Sequence, residues 1–410
     1  MHAADLRHSR PSLQQKLEAL YTLSPQKKVA LGFRPEYLAL LEAFDNPHKK
    51  LPPTIHIAGT NGKGSSVAML RAVLEAGGYK VHAYTSPHLI DFNERIYLAG
   101  KNIDDDALEK LVDRALALNK GRETTFFEIT TAMSFAAFAE TPADIFLCEV
   151  GLGGRLDCTN IIERPILTIL TTISYDHEKF LGDTLQQIAF EKAGIMKPGS
   201  PCVVGVQEHP EALETVLQIA QNQAIPVVKA TPAPDSTALN LPGAHQRLNA
   251  GGVLAALDLI KDRFPVTPEK VQHGLNHVSW PARLQHIEYK YKNNLHEVWY
   301  DGGHNESAAK ILAVQLQQWR KEDAKPLYLV MAMKTDKNAD AFAGHLAPYA
   351  QKIVLCEIPG MDSVQVLEGI DYDKATSLEG AFEAIRDLPP GRILVCGSLY
   401  LARPLAKALA

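Results

Sequence analysis

Residues 54–66 read Thr-Ile-His-Ile-Ala-Gly-Thr-Asn-Gly-Lys-Gly-Ser-Ser, an apolar strand-type run that breaks into a glycine-rich turn carrying one lysine and then two hydroxyls. Gly59, Gly62 and Gly64 lack Cβ, so the backbone can turn tightly and aim its N–H groups at phosphate oxygens, at the positive end of the helix that follows. Lys63 can reach the outer phosphates, and Ser65 or Ser66 could face a magnesium ion. The common phosphate-binding pattern has about four residues between its first glycine and the Gly-Lys pair, with a hydroxyl directly after the lysine. Here two residues intervene, and Gly64 separates Lys63 from Ser65. The same letters would also serve a strand-to-helix turn that needs glycine only for packing.

On open parallel sheets ligands gather at the carboxyl ends of strands, so polar residues just after each strand carry the next clues. The run Ile145-Phe146-Leu147-Cys148-Glu149 ends in a carboxylate and passes at once into Val150-Gly151-Leu152-Gly153-Gly154-Arg155-Leu156-Asp157. A buried carboxylate is costly unless paired or metal-bound. Glu149 is therefore either a magnesium ligand or water holder, or a strand-end partner for Arg155. The strand 166–172 delivers Asp176 and His177 to the same edge, and Ser86-Pro87-His88 follows the strand 80–84. Magnesium prefers oxygen donors and keeps several waters, which on chemistry alone favours Glu149 and Ser86 over His177.

The elements that must position these residues alternate nearly throughout the chain. Strands are expected at 54–59, 80–84, 144–150, 166–172 and 201–205, and helices at 64–76, 104–118, 127–140, 184–194, 209–222 and 246–262. This is the pattern of a mostly parallel sheet covered by helices. A polar, turn-prone stretch between Arg283 and Val298 marks the domain joint. Beyond it strands near 297–301, 327–332, 352–357 and 392–396 alternate with helices near 305–320, 338–350 and 377–387. The fold class is thus α/β: a P-loop-type, mostly parallel sheet domain over 1–288, followed by a smaller Rossmann-like α/β domain over 295–410. The segment 230–243 reads as loop.

Apolar residues make up 46% and charged residues 22% of the 410 residues, an ordinary globular balance. A net charge of −5 gives no electrostatic case for nucleic acid or an anionic membrane. The five cysteines, Cys148, Cys158, Cys202, Cys356 and Cys396, are odd in number and widely spaced, as expected of reduced core residues in a cytoplasmic protein. The first residues offer no apolar stretch after their charges, and no segment is apolar for about 18 residues, so secretion and membrane spanning are not expected.

Taken in order, Gly59-Thr60-Asn61-Gly62-Lys63-Gly64-Ser65, Thr85-Ser86-Pro87-His88-Leu89, Glu94-Arg95-Ile96, the 149–157 run with Thr159-Asn160, Asp176-His177, Glu191-Lys192-Ala193-Gly194-Ile195, His245-Gln246 with Asn249-Ala250, and Asp301 with His304-Asn305 resemble one family. It is the folylpolyglutamate synthase family, in its bacterial bifunctional dihydrofolate synthase/folylpolyglutamate synthase branch, within the Mur ligase superfamily. The resemblance covers about residues 35 to 400.

The resemblance implies ATP and Mg²⁺ as cofactors. Gly59, Thr60, Asn61, Gly62, Lys63, Gly64 and Ser65 would wrap the phosphates, while Asn249, Arg283 and Asp301 match positions that hold the nucleotide from the far side of the domain joint. Ser86, Glu149 and His177 match the magnesium ligands, which overrides the chemical preference against His177. Lys192 stands where the family carries a carbamylated lysine; read alone, it is a solvated helix lysine beside Glu191. Thr125, Phe126, Phe127 and Glu128 match the pteridine-proximal segment, and Leu156 and Asp157 join them in substrate binding. The pattern of 125–128 alone is a helix start with core phenylalanines. His304 would orient glutamate or the acyl phosphate. The family motif Asp-x-Ala-His-Asn-Pro appears here as Asp301-Gly302-Gly303-His304-Asn305-Glu306, which predicts a looser turn and removes a proline helix starter.

The implied reaction is ATP-dependent amide formation: a carboxylate becomes an acyl phosphate, and the amine of L-glutamate displaces phosphate. Dihydropteroate and tetrahydrofolates are the implied acceptors, and a monomer the implied state. Peptidoglycan Mur ligases place a separate domain before the cradle, for which Met1–Pro53 is too short. A P-loop ATPase without ligation would turn over ATP regardless of glutamate. Nicotinamide chemistry at Gly151–Gly154 is weak, because that run continues into Arg-Leu-Asp.

Overall fold

The computed structural model describes residues 8–24, 32–287, 296–323 and 325–409. They divide into two compact units. One runs to Asn240 and resumes over Gln246–Val278; the other takes Leu241–His245 and the chain from Ser279 onward.

In the first unit the strands are β1 (Thr54–Ala58), β2 (Val81–Tyr84), β3 (Ile96–Leu98), β4 (Lys101–Asn102), β5 (Ile145–Glu149), β6 (Leu167–Leu170), β7 (Cys202–Val204) and β8 (Val227–Lys229). They lie in the order β4-β3-β2-β5-β1-β6-β7-β8. From β2 to β8 every pairing is parallel, and only the β2–β3–β4 edge is antiparallel. All of β1, β2, β5 and β6 is buried, which is why these strands read as unbroken apolar runs instead of alternating ones.

The helices of this unit are α1 (Pro11–Thr22), α2 (Pro35–Ala43), α3 (Lys63–Ala76), α4 (Asp105–Asn119), α5 (Phe126–Glu140), α6 (Glu178–Leu181), α7 (Leu185–Ala193), α8 (Pro210–Asn222), α9 (His245–Ile260) and α10 (Pro268–Asn276). One core cluster joins Leu13 and Leu17 of α1, Tyr37 of α2, Val112 of α4 and Phe135 of α5 to Phe146 of β5. Another joins Ile188 of α7 and Val216 of α8 to Leu170 and Val204. Neither α10 nor the β3–β4 edge was expected from pattern. Gly274 lowers the helical propensity of α10, yet it is the contact point: a Cβ there would stand 2.6 Å from Val73 Cα of α3.

The second unit holds β9 (Gln285–Ile287), β10 (Glu297–Tyr300), β11 (Leu327–Met331), β12 (Lys352–Leu355), β13 (Asp373–Lys374) and β14 (Arg392–Cys396), in the order β13-β12-β11-β14-β10-β9. Only β9 runs antiparallel. Around this open, Rossmann-like sheet lie α11 (Glu306–Glu322), α12 (Ala339–Leu346), α13 (Leu378–Glu383) and α14 (Ala402–Ala408). Leu312, Leu316, Leu329, Met331, Phe342 and Leu394 form its core.

The boundary positions 288 and 295 lie outside the described residues. Arg283 and β9 fall with the second unit, because Gln285–Ile287 pairs with Val298–Tyr300, so the expected joint falls between two paired strands of one sheet. All five cysteines are buried thiols. Among the described residues no helix is long and apolar enough to cross a membrane.

Candidate active site

In the first unit, parallel pairing brings the ends of β1, β2, β5 and β6 to one edge of the sheet. The cradle follows the central strand β1 and is tied to the segment after β6. Thr60 N–H donates to Thr172 O at 2.8 Å, Thr60 Oγ1 to Ser174 O at 3.0 Å, and Thr171 Oγ1 to Asn61 O at 2.7 Å. Two of the glycines are required by this geometry. Gly59 has φ +150°, and a Cβ there would meet Thr171 Oγ1 at 1.8 Å; Gly62 has φ +88° and would meet Asn249 Oδ1 at 2.3 Å. Gly62 then caps α3, whose first residues include Lys63, Gly64 and the buried Ser65 and Ser66. Free N–H groups at a helix start beside a lysine suit an anion.

Two ammonium groups converge on one carbonyl. Lys63 Nζ donates to Gly59 O at 3.1 Å and Thr60 O at 3.2 Å, and Lys192 Nζ donates to Gly59 O at 3.0 Å. Lys192 is not the solvated helix lysine its neighbour Glu191 suggests: it is 4% exposed. Burial, and next the charge of Lys63, push its amine down to about 7, partly countered by Asp176 and Asp157. Glu191 is engaged elsewhere, accepting from Arg155 Nη2 at 2.8 Å. That pairing also gives Arg155 a partner other than Glu149. The glycine run 151–154 lets this happen, since a Cβ on Gly154 would stand 2.7 Å from Glu191 O and 2.8 Å from Lys192 O.

Glu149, 5% exposed, ends β5 beside Ile57 of β1. Ser86 N–H donates to Glu149 Oε2 at 3.4 Å, so the structure brings these two together. His177 begins α6 with φ +55° at the same sheet edge; its ring is 43% exposed and 3.9 Å from Asp176 Oδ1. Among the described residues no three His, Cys, Asp or Glu side chains could hold a metal by themselves. A buried carboxylate with a serine beside it, and an imidazole on the segment after β6, fits magnesium, which takes few protein ligands and completes its shell with water and phosphate oxygens.

The residues matched to the pteridine segment divide by environment. Phe126 is buried, edge-on to Tyr21 and Phe92. Thr125 and Glu128 form the capping box that starts α5, and Glu128 also pairs with Arg34, whose Nε donates to Oε1 at 2.8 Å. Phe127 is only partly buried and lies against Gly151, where a Cβ would come within 2.2 Å of its ring. Leu156 is partly buried as well. Asp157 is buried and accepts N–H groups from Leu152 and Thr159, both at 2.9 Å, joining the glycine run to the turn that follows. Burial raises its pKa, against the lowering pull of Thr159.

Asn249 belongs with the cradle's own unit and not with Arg283 and Asp301. It sits 9% exposed on α9, with its Oδ1 where a Cβ on Gly62 would collide, and its Nδ2 donates to Gln246 Oε1 at 3.0 Å. The joint expected between Arg283 and Val298 leaves the helix expected at 246–262 with the first unit; it is the resemblance that groups Asn249 with Arg283 and Asp301.

In the second unit Asp301 ends β10, 5% exposed. Its carboxylate accepts from Leu284 N–H at 2.9 Å and Gly303 N–H at 2.7 Å. Burial raises its pKa, and Arg283 pulls it back. Ala282 (φ +60°) and Leu284 (φ +43°) both adopt the left-handed region on either side of Arg283. Non-glycine residues held this way store roughly 1–3 kcal/mol each and persist only where surroundings impose them. Here Asp301 fixes Leu284, Gln285 Oε1 accepts from Ala282 N–H at 3.0 Å, and Ala282 O accepts from Gly302 N–H at 3.0 Å. Sequence reading had no signal for this strained clamp.

The turn after Asp301 is not loose. A Cβ on Gly302 would meet Leu399 Cδ2 at 2.0 Å, and one on Gly303 would meet both Asp301 Oδ1 and Ala308 Cβ at 2.9 Å. Proline is also dispensable: Asn305 Oδ1 accepts from Ala308 N–H at 2.9 Å as the cap of α11, and Glu306 puts a carboxylate in its first turn. His304 Nδ1 lies 2.9 Å from Gly302 O, which fixes the ring's direction.

Residues 57–244 match the Mur ligase middle domain. The dihydrofolate synthase/folylpolyglutamate synthase of Bacillus subtilis is 38% identical over 311 residues, covering 68% of this chain and 70% of that one. The structure of Escherichia coli FolC in complex with DHPP and ADP is 25% identical, with a TM-score of 0.84 over 99% of this chain and 98% of that one. The bifunctional folylpolyglutamate synthase/dihydrofolate synthase of Yersinia pestis, complexed with AMPPNP and Mn ion, gives the same identity and TM-score over 100% and 99%. The strand-end carboxylate, the paired lysines and the glycine cradle thus sit in a familiar frame, and the chain belongs to the dihydrofolate synthase/folylpolyglutamate synthase family.

Proposed function

We propose that this protein is an ATP-dependent ligase that joins L-glutamate to dihydropteroate, giving dihydrofolate, and to tetrahydrofolates, lengthening their glutamate tails. The observation that carries the reading is the convergence of Lys63 and Lys192 on Gly59 O, at the sheet edge where β5 presents Glu149. Relatives that hold ADP with DHPP, and AMPPNP with Mn, support it.

Gly59 to Ser65 would bind the phosphates through backbone N–H groups, with Asn249 beside Gly62. Lys63 would stabilise the charge that grows on the transferring phosphoryl group. Ser86, Glu149 and His177 would hold the divalent ion, which when bound neutralises phosphate charge. The acceptor's carboxylate takes up the phosphoryl group and becomes an acyl phosphate. The glutamate amine then attacks that carbonyl, and phosphate leaves with the former carboxylate oxygen. Arg283 and Asp301 of the second unit would bind nucleotide, and His304 would orient glutamate.

Lys192 has a second role in this reading. An amine held near neutrality is partly unprotonated at pH 7 and can add CO₂, releasing one proton and leaving a carbamate anion in place of a cation. Phe127, the partly buried ring of its pair, would stack on the pteridine, with Leu156 and Asp157 following shortly after the Gly151 that it lies against. The net charge of −5 and the buried thiols suit a cytoplasmic enzyme acting on small molecules, without nucleic acid or membrane, and the family resemblance implies a monomer.

The test is incorporation of labelled L-glutamate with ATP and Mg²⁺, each acceptor supplied separately. Both dihydropteroate and tetrahydrofolate should take up label, with one ADP per amide. Label on one acceptor alone would remove the bifunctional part. ATP turnover indifferent to glutamate and acceptor would identify a plain ATPase and end the ligase reading.

A further inference from the structure

The segment that carries Ser86 has an anchor that the reaction itself does not use. At its base Thr85 N–H donates to Arg95 O and Thr85 Oγ1 to Glu94 O, each at 3.2 Å. Within the segment, the Glu94 carboxylate accepts three successive backbone N–H groups. Oε2 takes that of Leu89 at 2.8 Å, and Oε1 takes those of Ile90 and Asp91 at 2.8 and 2.9 Å. Asp91 closes the capping box with Glu94 around the turn Phe92–Arg95. Asp91 is itself fastened by Ser9, whose N–H and Oγ donate to its two oxygens at 2.7 and 2.5 Å. From the other side Arg95, 2% exposed, donates its Nε to His88 Nδ1 at 2.9 Å.

Hydrogen bonds to an ionised carboxylate are about twice as strong as neutral ones, and three of them from adjacent residues leave the backbone one arrangement. Ser86 lies between the Thr85 anchor and this grip, three residues before Leu89, and its N–H reaches Glu149 Oε2. We infer that Glu94 is a positioning residue for the ion-binding edge: by gathering the N–H groups of Leu89, Ile90 and Asp91 it holds Ser86 against Glu149. This rests on the reading that Ser86 and Glu149 serve the divalent ion.

The full-length protein and its Glu149→Ala, Glu94→Ala and Glu94→Gln variants are titrated with Mn²⁺ in the presence of a non-hydrolysable ATP analogue. Protein-bound ion is read as the loss of the free-ion electron paramagnetic resonance signal beyond that caused by the same analogue without protein, and affinity for the metal-free analogue is measured separately. Glu149→Ala should abolish ion binding. Glu94→Ala should weaken it about tenfold or more, and Glu94→Gln, which keeps one acceptor oxygen, by less, as losses behind a metal ligand do. Affinity for the metal-free analogue should stay at the wild-type value in both Glu94 variants. Wild-type Mn²⁺ affinity in Glu149→Ala would overturn the ion assignment beneath the inference. Loss in Glu149→Ala with unchanged affinity in the Glu94 variants would overturn the inference alone, as would a parallel loss of metal-free nucleotide binding. If Glu94→Ala does not fold, Glu94→Gln decides.

Discussion

Lys63→Ala is expected to lower turnover about a thousandfold while leaving circular dichroism and melting temperature close to wild type. A preorganised donor aimed at developing phosphoryl charge is worth roughly two to three orders of magnitude in kcat. Lys63 is such a donor, because the helix start at Gly62 directs it and the carbonyls of Gly59 and Thr60 hold its ammonium over the loop. Its removal costs the fold little, since both carbonyl bonds are local to the loop and Lys192 still reaches Gly59 O. Steady-state ligation assays settle the matter, and wild-type turnover in this variant would contradict the assigned role.

Lys192→Met should do something less usual: abolish ligation and stabilise the protein. Folding takes this amine from its ordinary value of 10.5 to about 7. The sign follows directly. Above pH 10.5 the amine is neutral in both states and ionisation costs nothing. As pH falls from 10.5 to 7 the unfolded chain gains a proton that the folded chain lacks, so stability drops, and below about 7 the loss is complete. That lowering corresponds to about 5 kcal/mol at most, against which methionine forfeits a hydrogen bond worth about 1 kcal/mol. In buffer freed of carbon dioxide, Lys192→Met should therefore melt higher than wild type at pH 7, and the difference should shrink as pH approaches 10.5. A lower melting temperature at pH 7 would mean that the buried ammonium is paired well enough to stabilise the fold.

Much of this was legible in the letters because the parallel strands are buried on both faces. Continuous apolar runs located β1, β5 and β6, and the polar residues ending them located Glu149 and the cradle. What escaped was decided by contacts between distant segments. Asn249 looked like a residue of the far unit, but its side chain fills the space that only Gly62, with no Cβ, leaves open. Arg155 looked like a partner for Glu149, yet the glycine run turns it toward Glu191. Phe126 and Phe127 are adjacent and alike in sequence, and helix geometry sends one into the core and leaves the other facing Gly151. The substitution of proline by Glu306 looked damaging until Asn305 was seen to cap α11. The left-handed pair flanking Arg283 has no glycine to announce it, and only the Asp301 carboxylate on Leu284 N–H explains how it persists.

The central claim is that a carboxylate is energised by phosphoryl transfer and captured by an amine. Dihydropteroate labelled with ¹⁸O in both carboxylate oxygens tests it directly, with the phosphate product read by mass spectrometry after a single round of ligation. One ¹⁸O should appear in each phosphate, the other remaining in the amide. Phosphate free of ¹⁸O would show that water and not the acceptor takes the phosphoryl group, and would contradict the account.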